Sequence, residues 1–251
     1  MSLDACAELV RRGDPDRWMS LMAVDVDARA KLLPLYAFNL EVARAPWVSR
    51  EPLIAQMRLQ WWRDALTEIA EGGPVRRHEV VTPLDAVLPQ DAARDLDTLV
   101  LARHKDIEIR PFDDLADLRA YLDETGGGLV RAAAVCLGGA TRGSEAAGAA
   151  GATAAYLRAL AELKGRGRVP LPEMTAEAVG ELAEYGQAQW RLAKEARPDP
   201  KVRPALLALW RTPALLAAAA RAPDRVLTEG LDTSPARRHL SLLWRQWAGT
   251  W

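Results

Sequence analysis

Residues 49–74 read SREPLIAQMRLQWWRDALTEIAEGGP, and the spacing of apolar side chains in that stretch decides the class of fold. Ile54, Met57, Trp61, Ala65 and Ile69 recur at intervals of three and four, which lines them along one face of a helix. Ser49 offers a cap, Pro52 suits a first turn where its missing N–H is not needed, and Gly72-Gly73-Pro74 ends the segment.

The same periodicity continues on both sides. Residues 27–43 predict a helix with Ala30, Leu33, Tyr36 or Ala37, and Leu40 inward, and with an irregularity or kink at Pro34. Residues 76–89 carry Pro83 and Pro89 and read as a loop with a short helix near 84–88. Further helices are expected at 91–105, 113–137, 144–163, 175–196, 202–220 and 235–247, and no convincing run of alternating β-branched residues interrupts them. The fold class is all-α. No linker rich in Gly, Ser or charge divides the chain, so one helical domain over residues 1–251 is the simplest organisation.

Composition narrows the function classes. The 251 residues are 49% apolar and 27% charged, with a formal net charge of −1, so nothing global argues for nucleic acid or for an anionic membrane surface. Cys6 and Cys136 form no CxxC and have no companion histidines, which suits a reducing compartment and makes disulfide scaffolding improbable. The opening MSLDACAELVRRGDPDR lacks an apolar core of signal-peptide length and carries acids, so it reads as part of a mature, cytoplasmic protein. The longest apolar stretch, 205–220, is interrupted by Arg211 and Pro213 and falls short of the roughly 20 residues that span a bilayer.

Several local features invite chemistry. Asp113, Asp114 and Asp117 spell DDLAD, the letters of a Mg²⁺ motif, but they follow Pro111-Phe112 and open a helix, where acids cap free N–H groups. Gly126-Gly127-Gly128 has no preceding strand and reads as a close helix crossing or a break in a helix. His78, His104 and His239 have no metal-ligand spacing. Nine tryptophans stand beside two phenylalanines; Trp61 and Trp62 cannot face the same way, and LLWRQWAGTW at 242–251 either packs back or docks on a membrane interface or partner.

Two segments carry a resemblance. LYAFNLEVARAPW (35–47), followed by MRLQWWRDAL, and LRALAELKGRGRVPLP (157–172) resemble the two active-site regions of the squalene/phytoene synthase family, with a weaker match at YLDETGGGLVRAAAVCLGG (121–139). The likeness covers roughly residues 14–190. It implies an isoprenoid-synthase-type helical bundle with a central cavity. In that family each region carries aspartates one helical turn apart that hold Mg²⁺ against prenyl diphosphates. Here, aligned on YAF and on the LP ending, those positions hold Ala43, Arg44 and Trp47, then Ala159 and Leu163. A polar pair that usually precedes the second motif falls on Ala152 and Ala155. Losing one transition-state stabiliser typically costs about 2.7–4 kcal/mol, so ordinary prenyl condensation is expected to be crippled.

The pattern is most similar to the branch of that family that includes the mitochondrial assembly factor for respiratory complex I and also lacks the aspartates. The resemblance implies a catalytically degenerate protein that acts in complex I assembly, with a complex I subunit as partner, an isoprenoid or lipid in the cavity, no cofactor, and peripheral contact at the inner membrane. Ligand-binding residues carried over on this basis are Tyr36, Arg44, Trp47, Arg58, Trp61 and Trp62 on one side, and Tyr156, Arg158, Arg166 and Arg168 on the other, with the 52–71 helix facing the Tyr156 helix across the cavity. The cluster Arg158, Lys164, Arg166 and Arg168 reads either as a metal-free phosphate clamp or as a solvated turn. The alternative is an active farnesyl or geranylgeranyl diphosphate transferase with Mg²⁺ on Glu41, Asp64 and Glu162, each of which also reads as an ordinary helix residue.

Overall fold

The computed structural model describes residues 3–49, 51–231 and 235–251, the last stretch with side chains from Ser241 onward. All regular structure among the described residues is helical. The chain begins with α1 (Leu3–Gly13) and α2 (Pro15–Met22), where Asp14 caps α2 by accepting from the Arg17 N–H at 3.0 Å. No element had been read into these residues. The Gly-Asp-Pro run between them carries the start signal: a helix end, a cap and a first-turn proline.

Helix α3 (Val26–Arg44) starts at Asp25, whose carboxylate accepts from the Ala28 N–H, and runs through Pro34 without interruption. Residues 32–39 are all buried, so the middle of α3 packs as a central helix rather than as an amphipathic surface one. A 3-10 turn, Ala45–Trp47, leads to α4 (Pro52–Glu71). The inward face of α4 is rotated from the expected one. Ala55, Leu59, Trp62, Leu66 and Ile69 are buried while Ile54 and Met57 are exposed, because Trp62 meets Phe38 edge-on at 5.4 Å and claims the core side. Trp61 lies half-buried under the Arg76 guanidinium, 4.7 Å from its ring.

Next come α5 (Val81–Asp85), α6 (Gln90–Ala102) and α7 (Leu115–Leu122). Asp114 caps α7 by accepting from the Asp117 N–H at 2.8 Å, and Lys105 pairs with Asp117, so the DDLAD run serves helix initiation. The expected helix over 113–137 is broken by a π turn at Asp123–Gly127 before α8 (Gly128–Cys136). The reason is steric. A Cβ on Gly126 would collide with the Gly148 carbonyl of α9 (Ser144–Gly165), and one on Gly148 with the Gly126 carbonyl. Two backbones therefore touch where the three glycines sit.

Helix α10 (Ala176–Glu195) is capped by Thr175. The expected 202–220 helix divides into α11 (Arg203–Leu207) and α12 (Thr212–Arg221), followed by α13 (Pro223–Thr228) and α14 (Pro235–Trp247). One apolar cluster is built from α1, α3, α4, α5, α6 and α8, and a second from α7, α9, α10, α12 and α13. No described helix is long and apolar enough to cross a membrane.

Candidate functional site

A cavity of about 320 Å³ opens where these clusters meet, within the ~300–1,000 Å³ range of small-molecule sites. Small residues of α9 leave room for it, because Gly148, Gly151, Ala152 and Ala155 line it beside Tyr156 and Arg158. Leu122, Leu129, Val130, Leu209 and Leu215 make an apolar wall. The opposite wall is polar and is supplied by α2, α3, α9 and the start of α12: Asp14, Asp16, Arg17, Asn39, Arg158, Arg211 and Thr212.

Charge is organised around one carboxylate. Asp16 accepts from Arg158 at 3.0 Å and also from Arg211, whose side chain is only 8% exposed. Beside them Arg17 pairs with Asp14 at 3.6 Å and stacks 5.0 Å from the ring centre of Tyr36. Burial pushes the Tyr36 phenol up to about 12. Deeper in, the Tyr121 hydroxyl donates to Asp106 at 2.9 Å and accepts from Arg103, and desolvation drives its pKa upward. Tyr156 donates to the Pro170 carbonyl at 2.6 Å, which ties α9 to the turn after it.

Of the residues carried over from the resemblance, Tyr156 and Arg158 line this cavity, and Tyr36 backs Arg17 at its edge. Trp47, Arg166 and Arg168 come together at a separate place: the guanidiniums of Arg166 and Arg168 lie 5.5 and 4.7 Å from the Trp47 ring centre, and Arg168 donates to the Ile107 and Glu108 carbonyls. The two segments thus meet through cation–π contacts. Arg44 pairs with Glu41 at 3.7 Å on its own helix. Arg58, Trp61 and Trp62 lie on α4, which packs chiefly on α6 and the neighbouring 3-10 turns. The expectation that α4 faces the Tyr156 helix across the cavity is therefore corrected: no α4 residue lines it, and beside α9 its polar residues come from α2, Asn39 of α3 and the start of α12.

The carboxylates proposed as alternative Mg²⁺ ligands stay apart. Glu162 pairs with Arg166, Glu41 with Arg44, and Asp64 accepts from Gln60 at 2.7 Å. Among the described residues no three His, Cys, Asp or Glu side chains group as a metal site. The donor set at the cavity does not fit the hard, oxygen-ligated cation that the family's chemistry requires. Sequence reasoning missed Asp14, Asp16, Arg17, Asn39, Arg103 and Arg211. In the sequence Arg211 stands only as an interruption of an apolar run, and that interruption is the available signal, because a charge inside such a run needs a buried partner.

A bundle of helices closed around an amphipathic cavity defines the class: an isoprenoid-synthase type of fold. The architecture matches that of a dehydrosqualene synthase solved in complex with ligand, with a TM-score of 0.75, 14% identity, and coverage of 98% of this chain and 95% of that one. It also matches a squalene synthase from Alicyclobacillus acidocaldarius, with a TM-score of 0.70, 17% identity, and coverage of 87% of this chain and 93% of that one. The squalene/phytoene synthase family model matches residues 10–244, and the chain belongs to that family. Among curated proteins it is similar to NADH dehydrogenase (ubiquinone) complex I, assembly factor 6 of Homo sapiens, at 25% identity over 121 residues, and to the Drosophila melanogaster homolog, at 28% over 126 residues. The matched stretch covers 48% of this chain in both cases and 36% and 38% of those relatives, so the chain spans little more than a third of their length.

Proposed function

We propose that this chain is a catalytically silent member of the squalene/phytoene synthase family that serves in the assembly of respiratory complex I and holds an amphipathic isoprenoid or lipid in its cavity without metal. The observation that carries the reading is the exchange of charge at the site. Ala43, Arg44, Trp47, Ala159 and Leu163 stand where metal-holding aspartates are expected, and the cavity's polar wall carries Arg17, Arg158 and Arg211 beside Asp14 and Asp16. Guanidinium forks match phosphate oxygens directly, and the leucine wall stabilises an alkyl tail by about 0.8 kcal/mol per buried CH₂.

Similarity to complex I assembly factors supports the assembly role and a complex I subunit as partner. The protein acts in the cytoplasm, with peripheral contact at the inner membrane. Trp244 and Trp247, 64% and 79% exposed on α14, support that contact, because indole favours the interface. The test is deletion in the host followed by native-gel separation of NADH:quinone oxidoreductase, with purified protein assayed for diphosphate release from prenyl diphosphates in Mg²⁺. Loss of the assembled complex and no release are expected. Sustained, chelator-sensitive release, or intact assembly after deletion, would overturn the reading.

A further inference from the structure

We propose that the outward face of α4, centred on Ile54, Met57 and Arg58, docks an amphipathic helix of a partner protein, one that sets an aspartate or glutamate against Arg58 beside its own apolar stripe. None of these residues lines the cavity, so the inference does not depend on what the cavity holds.

Two apolar stripes run along α4. One, from Ala55 through Leu59 and Trp62 to Ile69, is buried in the bundle. The other faces outward: Leu53 and Met57 are each 65% exposed, Ile54 is 38% exposed, and the row leads to half-buried Trp61. Exposed apolar residues scattered singly are ordinary, but these adjoin on one helix face. Ile54, Met57 and Trp61 have the three-and-four spacing of a helix–helix seam, and the flexible thioether of Met57 adapts to a facing side chain. From 52 to 61 the face is about 15 Å long at the helical rise, enough for two to three turns of a partner helix.

Arg58 fixes the chemistry of the occupant. It lies four residues after Ile54 and three before Trp61, hence in the middle of the same face. Arg63 is paired with Asp97 and Arg76 with Glu68, whereas Arg58 is exposed and has no ion pair or hydrogen bond among the described residues. A free guanidinium amid apolar side chains is complemented by an acid on the partner. A second copy of this chain does not fit, because a two-fold axis through the centre of the stripe would set Arg58 against its own copy. A bilayer surface fits poorly too. Gln56, Gln60 and Asp64 flank the face where a cationic rim would be wanted, and the Trp61 indole is held under Arg76 and edge-on to Trp62 at 4.9 Å.

The test is photocrosslinking in the host, with p-benzoylphenylalanine in place of Met57 in the full chain, and with the same probe at Trp244 as a comparison surface. Helicity and melting of the purified chains show that they fold, as expected for substitutions at exposed positions. Position 57 should give a protein adduct, and mass spectrometry should map it to an amphipathic helical segment that carries an acid beside its apolar stripe. A synthetic peptide of the mapped segment is then titrated by fluorescence anisotropy against the wild-type chain and Arg58→Glu. Arg58→Glu should weaken binding about tenfold, and exchanging the peptide's acid for lysine should restore it to Arg58→Glu while weakening it to the wild type. A lipid adduct, an adduct to a second copy of the chain, no adduct at position 57, or a peptide indifferent to Arg58→Glu would each overturn the proposal. Loss of the assembled oxidoreductase on deletion without an adduct at position 57 would sink this surface alone. A charge-dependent adduct beside intact assembly would uphold the surface and sink the assembly reading.

Discussion

Asp16 and Arg211 stand 195 positions apart in the chain and form an ion pair inside the cavity, with Arg158 on the same carboxylate. One acid thus fastens α2 to both α9 and the start of α12. Replacing it with alanine strips a buried guanidinium of an anionic partner, and such a loss costs about 1–3 kcal/mol. Asp16→Ala should melt below both the wild type and Asp16→Asn, and added phosphate should recover part of the difference. A melting curve that phosphate does not move would show that these arginines accept no external anion.

The Gly126–Gly148 crossing should tolerate no side chain. A methyl group on either residue meets backbone of the other, which cannot rotate away. Gly126→Ala or Gly148→Ala should cost about 1–3 kcal/mol in denaturant unfolding, the range for overpacking. Gly180→Ala is the control: it lies in α10 with nothing within 4 Å of an added Cβ, and should be neutral or stabilising by about 0.5–1 kcal/mol.

Alkali should unfold the chain through its tyrosines. Burial pushes Tyr36 up to about 12 and also raises Tyr121, Tyr156 and Tyr185, whereas unfolded tyrosine titrates near ~10. Between these limits the unfolded chain has lost protons that the folded chain keeps. Stability is therefore undiminished below about pH 10 and falls as pH rises towards the folded values. Ultraviolet titration should show phenolate appearing together with loss of helical dichroism; phenolate near pH 10 in a chain still folded would contradict the burial of these rings.

The thiols should be silent in the native state. Cys6 and Cys136 are buried, and desolvation raises both to about 11, which leaves almost no reactive thiolate at neutral pH. Labelling with an aromatic disulfide reagent should track unfolding as denaturant is added. Stoichiometric labelling without denaturant would mean that α1 or α8 opens far more readily than the rest of the bundle.

Trp47 should couple the 35–47 and 157–172 segments energetically. With Arg166 and Arg168 over its ring, each contact is worth about 0.5–1 kcal/mol at exposed sites. Trp47→Leu and Arg168→Gln should each lower stability modestly, and the double variant by less than the sum. Strict additivity would mean that these contacts contribute nothing.

Periodicity in the sequence was enough for the all-α class and for most helix positions, because apolar spacing is a local property that each segment carries with it. The cap at Asp114 and the crossing at Gly126 were legible for the same reason: an acid before a helix and a run of glycines each have a narrow physical use. Facing was less legible. Ile54 and Met57 fit the helical period as well as Ala55 and Leu59 do, and only the position of Phe38 decides which stripe turns inward. Pro34 does not end α3, because its neighbours at 32–39 are buried and tertiary packing holds the helix through it.

The site divides along the same line. That Ala43, Trp47, Ala159 and Leu163 occupy positions where the resemblance places aspartates, and that Arg166 and Arg168 form a basic run, is read from the linear chain. That Arg158 meets Asp16 and Arg211, that Arg166 and Arg168 close on Trp47, and that Arg58 and Trp61 lie away from the cavity were decided only by tertiary structure. An ion pair between residues 142 or 195 positions apart has no local signature, since its partners are chosen by the packing of helices and by the cost of leaving a charge unpaired inside them.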